Sequence, residues 1–194
     1  MGNKDNILNV ALELFARKGY VAVGVQEIAD TAGITKPTLY HYFKSKYGLL
    51  ECLLQDRFGS FCDILEGSIK EDNKGLVNRL NDVAREYITY SIGNKDMYSL
   101  AMAMLNSSVE SDTRKAIAPY YNRIRKIFVD IFELSKHELG NMNGRQRQFA
   151  MVYWGILNSY VTLMNEHIDE YEDTDNVEND INQFIHQFLH GIYS

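Results

Sequence analysis

The sequence predicts an all-α protein, and three observations carry that prediction. Apolar residues recur at three- and four-residue intervals over long stretches, only two prolines interrupt the 194 residues, and short polar runs rich in Gly, Asn or Asp separate the periodic segments. An all-β fold is excluded. A composition of 45% hydrophobic and 24% charged residues is globular, and the length allows one sizeable core or two small ones.

The elements follow in order. Ile7, Val10, Ala11, Leu14 and Phe15 trace the stripe of an amphipathic helix that Asn3 can cap and Gly19 can stop. Val25–Ala32 and Lys36–Phe43 read as two short helices around Gly33, and Ser45 can cap a longer one from Lys46 to about Gly67. A polar break over Ser68–Gly75 precedes a helix spanning roughly Leu76–Ile92, which Gly93–Asp96 ends. A short helix over Met97–Leu105 and a turn over Asn106–Asp112 come next. Proline fits a first helical turn far better than an interior, so a break is expected near Ala118, with a long helix from Pro119 to about Leu139. After a loop over Gly140–Gly144, the last two helices run from about Arg145 to Ile168 and from Val177 to Ile192. An acidic stretch containing Asp169, Glu170, Glu172, Asp173 and Asp175 joins them. No internal repeat is visible.

Several function classes drop out. No apolar run approaches the roughly 18 residues of a membrane span, and Met1–Asn6 lacks the apolar core of a signal peptide, so a cytoplasmic protein is expected. Met1-Gly2 opens like a myristoylation signal, but Asn6 stands where that motif wants Ser or Thr. Cys52 and Cys62 would lie about 80° apart around a helix, which suits small core residues better than a shared metal or a disulfide. His186 and His190 have helical metal-pair spacing, but Gln187 stands where the HExxH motif needs Glu, so the pair reads as flanking the apolar stripe at a dimer interface; no metal is expected. No nucleophile elbow, Gly-rich phosphate loop or nucleophile–base spacing appears, and neither an enzyme nor a cofactor is expected.

The formal charge of −6 hides an asymmetry. Residues 1–50 hold Lys4, Arg17, Lys18, Lys36, Lys44 and Lys46 against Asp5, Glu13, Glu27 and Asp30, a net of +2 that leaves −8 for the rest. A small basic unit on a larger acidic body suits a DNA-reading head that must not adhere everywhere. The boundary is placed after Lys46, with a head over 1–46 and a body over 47–194. Within the head, Ile28, Ala32, Ile34, Leu39 and Phe43 let two short helices close on each other, with Ala29 at the crossing and Gly33 at the turn. That is the pattern of a helix-turn-helix, whose second helix lies in the DNA major groove. With Leu39 at the centre of the inner face, Tyr42 falls near −60° and Phe43 near +40°, so these three face inward. Pro37, Thr38, Tyr40 and His41 face out, where they can touch base edges or phosphates.

Gly19-Tyr20, Gln26-Glu27-Ile28-Ala29, the run from Ala32 to Phe43, and Ser45-Lys46 together resemble the N-terminal signature of TetR-family transcriptional regulators, over about residues 4–50. The resemblance implies an all-helical homodimer, usually a repressor, with a three-helix DNA-binding head and a helical ligand-binding and dimerisation body. It implies that Tyr40 and Lys46 hold phosphates of a double-stranded operator and that Lys36, Pro37, Thr38 and His41 approach the groove. One departure stands out. Val23-Gly24 replace the Ser or Thr that usually opens the second helix, which leaves a cap weaker by a few tenths of a kcal/mol.

In the body, Val177, Ile181, Phe184, Ile185, Phe188 and Ile192 form one stripe, while the preceding helix is apolar nearly all round. One side can pack within the subunit and the other against the same two helices of a second copy, as an intersubunit four-helix bundle, with Tyr153, Tyr160, Ile181, Phe184, Ile185 and Phe188 at the interface. The alternative is an entirely intrachain core. Thirteen tyrosines and flexible methionines suit a mainly apolar or aromatic small-molecule effector, with Tyr87, Met102, Tyr121, Phe128, Trp154 and Asn158 as candidate lining. Rival readings are a DNA-binding regulator with no small-molecule effector and a helical small-molecule-binding enzyme with a vestigial head.

Overall fold

The computed structural model describes residues 3–70, 74–166 and 174–191, without the side chains of 174–176. Every regular element among the described residues is a helix: α1 (Asn3–Lys18), α2 (Val25–Thr31), α3 (Lys36–Phe43), α4 (Lys46–Leu53), a π-helical turn (Leu54–Gly59), α5 (Ser60–Ile69), α6 (Leu76–Gly93), α7 (Lys95–Leu105), α8 (Asp112–Leu134), α9 (Gln146–Glu166) and α10 (Thr174–His190). Ile168, Ile192, His167 and most of the acidic stretch before α10 lie outside the described residues.

Two compact units emerge, one built from 3–61 with 94–121 and the other from 62–93 with 122–191. In the first, α1 packs on α2, α4 and α7, and α3 closes on α2 and α4. Ile7, Leu8, Ala11, Leu14 and Phe15 of α1, Ile28 and Ala29 of α2, and Leu39 and Phe43 of α3 are buried together with Leu49, Leu50 and Leu53 of α4. In the second, α6 packs on α9 and α10. Arg79 of α6 is buried, donating to the carbonyls of Ile69 and Lys74 and to Ser135 Oγ. Glu138 receives the Leu76 N–H on both carboxylate oxygens at 3.0 and 3.1 Å, which caps α6 from a distant part of the chain.

Several element boundaries differ from expectation. The single helix expected over 46–67 contains the π-helical turn, with Leu53, Leu54, Phe58, Phe61, Cys62 and Leu65 buried along it. Only Asn94 separates α6 from α7, where a four-residue break was expected. Pro119 lies inside α8, not at its start, and the helix ends at Leu134 rather than Leu139. The true start is set by Ser111, whose Oγ accepts the Arg114 N–H at 3.1 Å and whose carbonyl accepts the Lys115 N–H at 3.0 Å. Pro119 and Lys115 are both exposed, so the carbonyl orphaned by the missing proline N–H is open to water and the helix continues.

Candidate nucleic-acid interface

The outward face of α3 is held by local chemistry at both ends. Thr35 caps the helix, its Oγ1 accepting the Thr38 N–H at 3.3 Å and pairing with Thr38 Oγ1 at 2.9 Å, and Pro37 occupies the first turn. Before it, Gly33 adopts φ +68°, a left-handed conformation that lets the Ile34 N–H reach Ala29 O at 2.9 Å and turns the chain from α2 into α3. Asn6 Nδ2 also donates to Ala32 O at 3.0 Å, fastening α1 to that turn. Beyond α3, Ser45 accepts the Gly48 N–H at 2.9 Å and starts α4. Here Gly48 is required for space: a Cβ would stand 2.2 Å from Phe43 O.

With Leu39 and Phe43 anchored in the core, Lys36, Pro37, Tyr40 and His41 are exposed and Thr38 is half-buried. Tyr42, expected to face inward, is 41% exposed, much like Tyr40 at 43%. The cause is the brevity of α3, an eight-residue helix whose inner face is filled by Leu39 and Phe43 alone. The Tyr42 ring instead rests against His41 and Phe43, at 5.7 and 5.9 Å between centroids. Helical-wheel angle alone could not reveal this, because Tyr42 lies at the margin of the inner arc.

Lys46 occupies a different environment from a solvent-facing lysine. Its Nζ donates to the carbonyls of Tyr20 at 2.8 Å, Val21 at 3.4 Å and Val23 at 2.8 Å, and lies 4.3 Å from the centre of the Tyr20 ring. An ammonium has three donors, and in the DNA-free chain all three are occupied. Burial lowers its pKa from the usual lysine value. The three carbonyls belong to the segment that leads into α2, where Gly24 is the N-cap and no side chain caps the helix. Lys46 thus ties down the segment that enters α2, where no side chain caps the helix. Lys18 adds an ion pair to Glu27 on α2, and that contact holds the Glu27 carboxyl below its usual range.

The expected effector-lining residues divide between the units. Tyr87, Phe128, Trp154 and Asn158 come together in the second: Trp154 Nε1 donates to Tyr87 OH at 3.0 Å, and Tyr87 OH donates to Asn158 Oδ1 at 2.8 Å. Phe128 stacks on Trp154 at 5.4 Å. Met102 and Tyr121 belong to the first unit. The second unit also holds a cavity of about 290 Å³, lined by Leu76, Phe132, Met142, Arg145, Phe149 and Phe188 among others and by none of the expected six.

Of the expected partner-facing residues, Tyr153, Ile181 and Ile185 lie in the core of the protomer itself, with Tyr153 OH donating to Leu80 O at 2.6 Å. Tyr160 is buried, its hydroxyl donating to Asp180 Oδ2 at 2.9 Å and its ring packed on Phe184. Phe188 packs on Phe132, Phe149 and Tyr153. These side chains pack among α6, α8, α9 and α10, with Phe184 and Phe188 left half-buried in the protomer. The apolar residues of α9 that remain open are Met151, Val152 and Leu163, at 68, 52 and 55% exposure. No helix among the described residues is long and apolar enough to cross a membrane, and no group of three or more His, Cys, Asp or Glu among them could hold a metal ion. The Cys62 thiol is pushed up to about 12 by burial, which makes it a core residue rather than a nucleophile.

Comparison with known proteins places this geometry in a wider setting. Residues 7–53 match the profile described as bacterial regulatory proteins, tetR family. A transcriptional regulator from Bacillus subtilis, YvkB, is 25% identical over 155 residues, covering 79% of this chain and 78% of that protein. The repressor KstR2 from Rhodococcus jostii is 33% identical over 94 residues, 46% of this chain and 45% of that one. The structure of the transcriptional regulator FadR from Bacillus subtilis, in complex with stearoyl-CoA, superposes with a TM-score of 0.79 at 22% identity over 97% of this chain and 99% of FadR.

Proposed function

Because this chain belongs to the TetR family of DNA-binding transcriptional regulators, we propose that it is a cytoplasmic, homodimeric repressor that binds a near-palindromic operator and is released by a mainly apolar or aromatic small molecule. It is a regulator and not an enzyme. The observation that carries the operator reading is the exposed face of α3. Lys36, Pro37, Thr38, Tyr40 and His41 are offered by a helix whose other side is anchored by Leu39 and Phe43, and Tyr42 extends that face. Lys36 and His41 supply donors for phosphate or base acceptors, Thr38 and the two tyrosines supply hydroxyls, and Pro37 supplies apolar contact. The contribution of Lys46 is indirect: it holds the segment that sets the angle of α2, and its charge adds to the positive potential of the head.

For the dimer, the exposed Met151, Val152 and Leu163 on α9 support pairing of α9 and α10 across a twofold axis. For the effector, the aromatic and amide cluster of Tyr87, Phe128, Trp154 and Asn158 in the body supports an apolar ligand. The likeness in fold to FadR makes a long-chain acyl thioester the first compound to test. The functional division follows, with DNA binding assigned to 1–46 and effector binding and dimerisation to 47–194. Footprinting on DNA flanking the gene tests the reading. Protection of two half-sites about one helical turn apart, lost when ligand is added, supports it; protection that no ligand alters leaves a regulator without a small-molecule effector.

A further inference from the structure

The second half of α10 carries two imidazoles that neither the operator face nor the aromatic core uses. His186 and His190 are one helical turn apart and both exposed, with ring centres 4.6 Å apart and planes at 46°. Metal–imidazole bonds of about 2.1 Å put each ring centre about 3.2 Å from an ion, so two ligands at right angles have centres about 4.5 Å apart. The observed spacing is close to that of two cis ligands, and rotation of the exposed rings would bring one nitrogen of each onto a shared ion.

The position favours a cation as well. His190 is the last residue of α10, and the chain then turns through Gly191 at φ +76°, its N–H donating to Gln187 O at 2.8 Å. A helix C-terminus presents unsatisfied carbonyls and the negative end of the helix dipole, which stabilise positive charge. Neutral imidazole nitrogens select late first-row ions over Mg²⁺ or Ca²⁺, which want oxygen ligands.

We propose that His186 and His190 form a bidentate site for a late first-row divalent cation of the Zn²⁺, Ni²⁺ or Cu²⁺ class on the C-terminal turn of α10. Water completes the coordination, since both rings are exposed in the protomer. The bound ion ties residue 186 to residue 190 and so reinforces the end of the helix.

The test is calorimetric titration of the tag-free full chain with NiCl₂, at a pH above the imidazole range. The site predicts one Ni²⁺ per chain. Affinity falls about a hundredfold in His186→Ala and in His190→Ala, because the second ligand no longer binds intramolecularly. His137→Ala, which removes an exposed imidazole beside Glu138, changes nothing. Restoring a pair one turn earlier, with Asn182→His in the His190→Ala background, returns the affinity, since Asn182 is exposed on the same helix. Circular dichroism of each variant checks that the helices are intact. Wild-type affinity in either single variant, equal weakening in His137→Ala, or failure of the Asn182→His rescue overturns the proposal.

Discussion

Replacing Lys46 with Met separates two roles that a lysine at the start of α4 can play. In the structure its ammonium serves the carbonyls of Tyr20, Val21 and Val23, and the bonds to Tyr20 and Val23 are the shorter, partly buried ones. Methionine keeps most of the stem and removes the donors. At about 1 kcal/mol net for each of the two better bonds, the segment entering α2 loses about 2 kcal/mol. That corresponds to about a thirtyfold change in its local opening equilibrium. Hydrogen exchange followed by mass spectrometry or NMR should therefore show faster exchange in the first turn of α2, with little change in α9. Operator affinity should fall, while the slope of log affinity against log salt stays at the wild-type value, because no phosphate partner is lost. Lys36→Gln supplies the contrast: an exposed lysine on the operator face should reduce that slope by about 0.9 and leave exchange unchanged. If Lys46→Met reduces the slope by a full phosphate contact and leaves α2 protected, the ammonium is a phosphate ligand and the clamp argument is refuted.

Further outcomes follow from other parts of the molecule. Leu163→Glu places a charge on the exposed apolar face of α9 and should shift the chain from dimer to monomer in sedimentation without lowering helicity. Tyr153→Phe removes the buried hydroxyl bonded to Leu80 O and should cost about 1–1.5 kcal/mol, or about 3–5 °C in melting temperature. Acid should destabilise the body in a defined way. The Arg123 guanidinium bonded to Glu66 and the Arg85 guanidinium bonded to Glu178 hold both carboxyls below the ordinary value of 4.5. Groups with depressed folded values stabilise fully above the unfolded value and lose that contribution as pH falls below it. Melting temperature should thus decline below about 4.5, and Arg123→Gln should make the decline shallower.

Much of the head was legible because its signals are local. The stripe of α1 and its stop at Gly19, the turn at Gly33, the cap at Ser45 and the inward Leu39 and Phe43 depend on residues a few positions apart, and the structure has them as periodicity and capping chemistry require, whereas Asn3, expected as a cap, is the first residue of the helix itself. Tyr42 was misread because a helix of eight residues buries a narrower arc than a long one. Pro119 departs from the expectation because the cost of the lost hydrogen bond is softened where Lys115 and Pro119 are both exposed to water. The role of Lys46 depends on carbonyls more than twenty residues earlier, and no spacing rule points to them. In the body, apolar stripes announced burial but not the partner. Tyr153, Ile181 and Ile185 find theirs within the protomer, and the exposed Met151, Val152 and Leu163 are interspersed among them on the same helix or its neighbour.

The central claim is sequence-specific DNA reading by the face of α3, and a competition titration addresses it most directly. Purified protein is titrated against DNA flanking its own gene and against unrelated DNA at several salt concentrations, beside a Tyr40→Ala variant. The account predicts a preference of about 10³-fold or more for one fragment, affinity falling steeply with salt, and a marked loss in the variant. Equal, weak binding to every fragment tested, with Tyr40→Ala indistinguishable from wild type, would contradict it.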